Sequence, residues 1–195
     1  MCIKTSSYLN EISSKMRSCA IHKKLEIISM KQKAVYPATL DPIHYGHIDI
    51  AVRASKIFDE VIIAIYDKPK KQLLFSPQQR LELAQQAFTD YSNIRVALFS
   101  GLVVNYVKSV GASVLVRGLR VFSDFEFEFR MALANRKLAP DVETVSIISD
   151  ERYVHISSST VREVAELGGD VSSMVPAFVH QALIHRYAEL NNRSS

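Results

Sequence analysis

Residues 36–47 read Tyr36-Pro37-Ala38-Thr39-Leu40-Asp41-Pro42-Ile43-His44-Tyr45-Gly46-His47, and this stretch decides the fold. It follows a short apolar run, Lys33-Ala34-Val35-Tyr36, and leads into Ile48, Ala51, Val52, Ser55 and Phe58, which share a helical spacing. A strand, a turn punctuated by Pro and Gly, and then a helix is where α/β proteins hold phosphate groups. The first N–H groups of a helix have no partner within it, and its dipole favours an anion. This turn also carries a hydroxyl, Thr39, and an imidazole, His47, at the helix entrance. The pattern points to nucleotide chemistry.

Outward from the turn, apolar runs alternate with helical patterns. The expected strands are Ala34–Tyr36, Val61–Tyr66, Ile94–Phe99, Ser113–Val116 and Thr144–Ile148, apolar at nearly every position as strands covered on both faces must be. Ser76-Pro77-Gln78-Gln79 supplies a capping Ser, a Pro at the first helical position and a Gln three residues after the cap. Leu81, Ala84 and Phe88 then form one apolar face. Ser123-Asp124-Phe125-Glu126 reads as a second capping box, ahead of a face made by Phe125, Phe129, Ala132 and Leu133. Gly111 and the Gly168-Gly169 pair end two further helices, and Pro176 opens a last one with Val179, Leu183, Tyr187 and Leu190. This order predicts an α/β, Rossmann-like, doubly wound five-stranded parallel sheet with helices on both faces.

The chain has 195 residues, enough for one domain that buries about 70% of its unfolded surface. No apolar run reaches the roughly 18 residues of a membrane span, so no membrane partner is expected and a cytoplasmic setting is. Residues 1–29 hold five Lys or Arg against two Glu, so most of the formal charge of +4 sits there. The near-neutral remainder argues against nucleic acid as a partner, since such binding rests on neutralising phosphates. Both cysteines, Cys2 and Cys19, also lie in that leading segment, which removes a disulfide framework from the domain. Residues 1–29 read as an extension outside the fold, either a targeting peptide or a poorly ordered lead from an upstream start. The domain is expected over 30–190, with 191–195 as a tail.

In doubly wound sheets, ligands bind beyond the carboxyl ends of the strands. The residues just after each strand are therefore the ones that can meet. They are Thr39 and His47; Lys68, Lys70 and Lys71; Ser100 to Val103; Arg117-Gly118-Leu119-Arg120; and Ile156 to Arg162. Such an edge gathers cations and hydroxyls with few acids, and reads as a polyanion site. Each motif also has a plainer reading. His44 and His47 fit a metal pair at three-residue spacing, without a third ligand near in sequence. The lysine run fits a solvated loop, and Ser157–Ser159 fits a helix cap. Arg117 and Arg120, directly after an apolar strand, would be costly without anionic partners.

Together these pieces resemble the nucleotidylyltransferase superfamily, marked by His44-Tyr45-Gly46-His47 and by the helix start Ile156 to Ser159. Within it the chain is similar to the bacterial phosphopantetheine adenylyltransferase family from about Lys31 to Glu189. The match includes Asp124-Phe125-Glu126 and Val179-His180-Gln181-Ala182-Leu183. The resemblance implies transfer of the adenylyl group of ATP to 4′-phosphopantetheine, giving dephospho-coenzyme A and pyrophosphate. It further implies a homohexamer, feedback by coenzyme A, and Mg2+ accompanying ATP without a protein metal cage. By the same resemblance, Thr39, His47, Lys71 and Arg120 are the catalytic set. Thr39, Leu40, His47, Gly118, Leu119, Arg120, Glu128 and the run Tyr153, Val154, His155, Ile156, Ser157, Ser158 and Ser159 would bind ATP. Thr39, Lys71, Val103 and Arg117 would bind phosphopantetheine.

The sequence departs from the family pattern at Ala38 (usually Gly), Leu40 (usually Phe), His44-Tyr45 (usually Thr-Asn) and Tyr153 (Trp in some members). Ala38 raises the question of whether that position needs a positive φ or a close backbone approach. The rival readings are a sister transferase acting on nicotinate mononucleotide or glycerol phosphate, and a catalytically silent nucleotide-binding module. The attacking phosphate is already an anion near neutral pH, so no general base is needed. Positioning and electrostatic stabilisation must carry the rate.

Overall fold

The computed structural model describes residues 32–68 and 73–194. The expected extension over 1–29 lies outside the described residues, as do Lys70 and Lys71. Five strands form one sheet: β1 (Lys33–Ala38), β2 (Glu60–Tyr66), β3 (Ile94–Phe99), β4 (Val114–Leu119) and β5 (Glu143–Ile148). All pairings are parallel, in the order β3-β2-β1-β4-β5. The chain winds outward from β1 through β2 to β3, then crosses to β4 and β5 on the other side. The order therefore reverses between β1 and β4, and that gap is where such sheets receive ligands.

Helices α1 (Tyr45–Ala54), α2 (Pro77–Ala87), α3 (Val103–Ser109), α4 (Phe122–Leu138), α5 (Ser158–Glu166) and α6 (Ala177–Ser194) connect and follow the strands. A single 3₁₀ turn, Glu151–Tyr153, precedes α5. Strand alternation splits the core in two. Ala34, Tyr36, Ile63, Ile65 and Val116 pack against Ile50 and Ala54 of α1, Ala84 of α2, Val161 of α5 and Leu183 of α6. Val35, Ile62, Ala64 and Leu115 point the other way, onto Val104 and Val107 of α3 and the Ala139–Val142 segment.

Local signals explain most helix boundaries. Ser76 caps α2 through both arms of its box: Gln79 N donates to Ser76 Oγ at 3.2 Å and Ser76 N to Gln79 Oε1 at 2.9 Å. Gly111 (φ 68°) and Gly168 (φ 77°) stop α3 and α5 in the left-handed region. The expected box at Ser123 is corrected. Helix α4 starts earlier, at Phe122, with Val121 as its N-cap residue. Asp124, in the first turn of α4, accepts from Arg120 N and Nε. Helix α6 continues to Ser194, through the stretch read as a tail.

Candidate functional site

The turn after β1 is held from three sides. Asp41, almost wholly buried, accepts from Leu74 N at 3.0 Å and Phe75 N at 2.9 Å, and Arg162 of α5 donates to both its carboxylate and its carbonyl. Arg80 of α2 is 1% exposed, and its Nη1 donates to Thr39 O at 2.7 Å and Tyr66 O at 3.0 Å, tying the ends of β1 and β2 together. Leu40 adopts φ 52°, uncommon for a residue with a Cβ, and the burial of its side chain in the core holds it there. Neither Asp41 nor Arg80 stands out in the sequence as a site residue. A hydrophilic side chain at a turn or on a helix looks solvated until tertiary structure closes over it.

At the start of α1 the two imidazoles stack, with ring centroids 3.7 Å apart. Gly46 allows this: a Cβ there would lie 3.1 Å from His44 Cε1 and 3.2 Å from His44 Nδ1. The His44 backbone N–H donates to His47 Nδ1 at 3.4 Å, which leaves the proton of a neutral ring on Nε2. Burial, reinforced by the Arg120 guanidinium, lowers the His47 pKa to about 3. Burial and then His47 lower His44 well below its ordinary value. Both rings are thus neutral near pH 7, and His47 offers one N–H donor.

Across the gap, β4 and α4 supply paired charges. Arg117 Nε and Nη2 grip Glu128 at 2.7 and 2.5 Å, and Nη1 donates to Pro37 O at 2.9 Å. Burial alone would lower the Arg117 pKa, but Glu128 outweighs it and the pKa is raised. Arg120 holds Asp124 through Nε at 3.1 Å and reaches Ile156 O through Nη1 at 3.1 Å. Partial burial opposes ionisation of Asp124, yet those bonds keep its pKa below the usual value. The expected acid-poor edge is therefore corrected. Asp41, Asp124 and Glu128 all line the cavity, each bonded to an arginine, so the anionic partners that Arg117 and Arg120 require come first from the protein itself.

These groups surround a cavity of about 460 Å³ at the β1/β4 gap. Thr39, Leu40, His47, Arg117, Gly118, Arg120, Glu128, Ser157, Ser158 and Ser159 line it together. Val103, Leu119, Tyr153, Val154, His155 and Ile156 are not among its lining residues; Ile156 is buried and contributes through its carbonyl. Lys71 lies outside the described residues. Ser157 Oγ caps α5 by accepting from Thr160 N at 3.0 Å, and Ser158 Oγ donates to Pro42 O at 3.0 Å. Both hydroxyls are thus engaged within the protein, which leaves the α5 N-terminus as the anion-facing feature. Among the described residues, no group of three or more His, Cys, Asp or Glu is placed to hold a metal ion. Nor is any helix among them long and apolar enough to cross a membrane.

Residues 35–164 match the cytidylyltransferase-like family. A phosphopantetheine adenylyltransferase from Roseiflexus sp. (strain RS-1) is 52% identical over 154 residues, covering 79% of this chain and 96% of that protein. One from Herpetosiphon aurantiacus is 51% identical, covering 79% of this chain and 93% of that protein. This chain belongs to the phosphopantetheine adenylyltransferase family. A solved structure described as a nicotinate-nucleotide adenylyltransferase, from Vibrio parahaemolyticus, covers 80% of this chain and 99% of its own with a TM-score of 0.62. At 18% identity that likeness speaks for the fold. At Ala38, where the resemblance leads to an expectation of Gly, the backbone answers half of the question this raises. Ala38 ends β1 without a positive φ, so the conformation there does not call for Gly.

Proposed function

We propose that the cavity at the β1/β4 gap is the active site, with the roles that follow. The enzyme transfers the adenylyl group of ATP to 4′-phosphopantetheine. A phosphate oxygen of phosphopantetheine attacks the α-phosphorus, a P–O bond forms, and the bond to the β-phosphate bridging oxygen breaks as pyrophosphate leaves. The observation that supports the assignment is the convergence of Thr39, His47, Arg117, Arg120 and the start of α5 on one cavity.

In this reading His47 donates from Nε2 to the α-phosphate oxygens as charge builds there. A neutral donor fixed in place by the His44 backbone costs no reorganisation during the reaction. Thr39 and Lys71 hold the attacking phosphate, Arg117 holds phosphopantetheine with its guanidinium oriented by Glu128, and Arg120 with the α5 N-terminus takes the β- and γ-phosphates. Mg2+ bound to the triphosphate would supply positive charge that offsets the phosphates, with no residue of this chain assigned as its ligand. The cavity carboxylates are each bonded to an arginine, which fits an ion carried by the nucleotide rather than by a protein cage.

Helix α4 supports the homohexamer. It buries none of its 17 residues, and it exposes Phe122, Phe125, Phe127, Phe129, Met131, Leu133 and Leu138. An apolar surface of that extent is what a second copy covers. Coenzyme A carries the same pantetheine arm and an adenine nucleotide, so it competes for the cavity and feeds back on the enzyme. A cytoplasmic location accords with both substrates. The deciding assay is pyrophosphate release from ATP with phosphopantetheine, nicotinate mononucleotide or glycerol phosphate as acceptor. Release with phosphopantetheine alone is expected; preference for another acceptor, or no release, would overturn the reading.

A further inference from the structure

We propose that Arg80 is a positioning residue for the transfer: through the Thr39 carbonyl it sets the hydroxyl that holds the attacking phosphate. Arg80 is not itself among the residues lining the cavity. It lies in the first turn of α2, where Arg80 N donates to Ser76 O at 3.0 Å, and its side chain is buried behind the turn after β1. The last paired residues of β1 and β2 are Ala38 and Ile65, so Thr39 and Tyr66 stand one step past the end of the ladder. A single nitrogen, Nη1, donates to the carbonyls of both, at 2.7 and 3.0 Å. Arg80 thus adds a rung where the two backbones would otherwise part, and both residues it holds line the cavity.

The rest of the guanidinium shows what the side chain contributes. Nε and Nη2 are buried with no hydrogen-bond partner among the described residues. Asp41 and Asp67 favour its charge, but Asp41 is bonded to Leu74, Phe75 and Arg162. Taking a guanidinium out of water with two of its three nitrogens unpaired is costly, and methionine would fill the space without that cost. The pair of bonds made by Nη1 is what offsets it. Thr39 is where those bonds bear on the chemistry. Its hydroxyl makes no hydrogen bond to another described residue, so its place is set by its backbone, and the next residue, Leu40, turns the chain at φ 52°. Fixing the Thr39 carbonyl fixes the peptide plane between those two residues, and with it the direction in which the Thr39 side chain leaves the strand. A reacting group misplaced by about 1 Å costs up to about 10²-fold in rate.

The inference rests on the role given to Thr39 above, and its test separates the two. A double-mutant cycle of Arg80→Met with Thr39→Val in the full chain is the experiment, read by pyrophosphate release with each substrate varied in turn and by thermal melts. Arg80→Met is expected to lower kcat/KM for phosphopantetheine about tenfold and to leave KM for ATP within about twofold. The double variant should fall no more than about twofold below Thr39→Val alone, since both changes remove the same interaction. Arg80→Lys, whose ammonium can donate to both carbonyls, should return kcat/KM to within about threefold of wild type. Losses that add in the double variant overturn the inference, as do equal changes for the two substrates or unchanged kinetics in Arg80→Met. Arg80→Gln enters the same cycle in case Arg80→Met does not fold; if neither folds, the side chain serves the fold as a whole and the inference falls. Wild type that releases no pyrophosphate with phosphopantetheine, or Thr39→Val that matches wild type, overturns the functional reading and this inference with it.

Discussion

Helices α1 and α4 both border the cavity and are built in opposite ways. Helix α1 turns Gly46, Ile50, Ala51 and Ala54 into the core and brings His47 to the site from a backbone fixed at both ends. Helix α4 is richer in aromatic residues, yet it buries none of them; Phe122 is 86% exposed and Phe125 stacks on Phe129 at 5.9 Å in the open. What α4 turns inward are Asp124 and Glu128, four residues apart on one face and each bonded to an arginine of β4 or the loop after it. Apolar content therefore does not tell which surface a helix seeks. In α1 it seals the protein's own core, and in α4 it faces outward while the polar side serves the site.

The largest effect should come from the α1 side. His47→Ala is expected to lower turnover about 10²- to 10³-fold with the fold intact, as for loss of one preorganised donor; steady-state kinetics with circular dichroism checks this. Next, the proposed homohexamer predicts that Phe125→Asp with Phe129→Asp yields smaller species than wild type in sedimentation velocity. An assembly of unchanged size would break the contrast between the two helices. On the inner side of α4, Glu128→Ala frees the Arg117 guanidinium from its orienting partner. It should raise KM for phosphopantetheine about tenfold, roughly 1.4 kcal/mol, and KM for ATP by less; the reverse order would exchange the two subsites.

A subtler effect concerns pH. His47 has a folded pKa of about 3 against an ordinary 6.5, so between these values the unfolded chain takes up a proton that the folded chain does not. The stability tied to the neutral ring is complete above about pH 6.5 and is lost as pH falls toward 3. Urea unfolding at pH 7 and pH 5 should show a larger drop for wild type than for His47→Gln, and equal drops would place the ring in water. The smallest effect belongs to Ala38→Gly. With no positive φ to relieve, it should change KM for ATP less than about threefold.

Much of this was legible before any coordinates. The strand–turn–helix of residues 36–47, the five apolar runs and the caps at Ser76 and Gly111 are local signals, each settled by a few neighbouring residues, and together they give the parallel sheet and its ligand edge. The site was less legible. Arg80 and Asp41 are ordinary polar residues in the sequence, and only the closing of α2 and α5 over the turn makes them buried anchors. Ser123 had the composition of a cap, but α4 begins before it, at Phe122, which places Ser123 inside the first turn and Val121 at the cap.

By itself, then, the sequence determined what depends on short-range geometry: which segments extend, which coil, where they stop, and which functional groups follow each strand. Tertiary structure alone decided which of those groups lose water and which keep it, and which cations already have an anion beside them. Those outcomes depend on the low-dielectric surroundings built by residues far apart in the chain, and no local pattern carries that information.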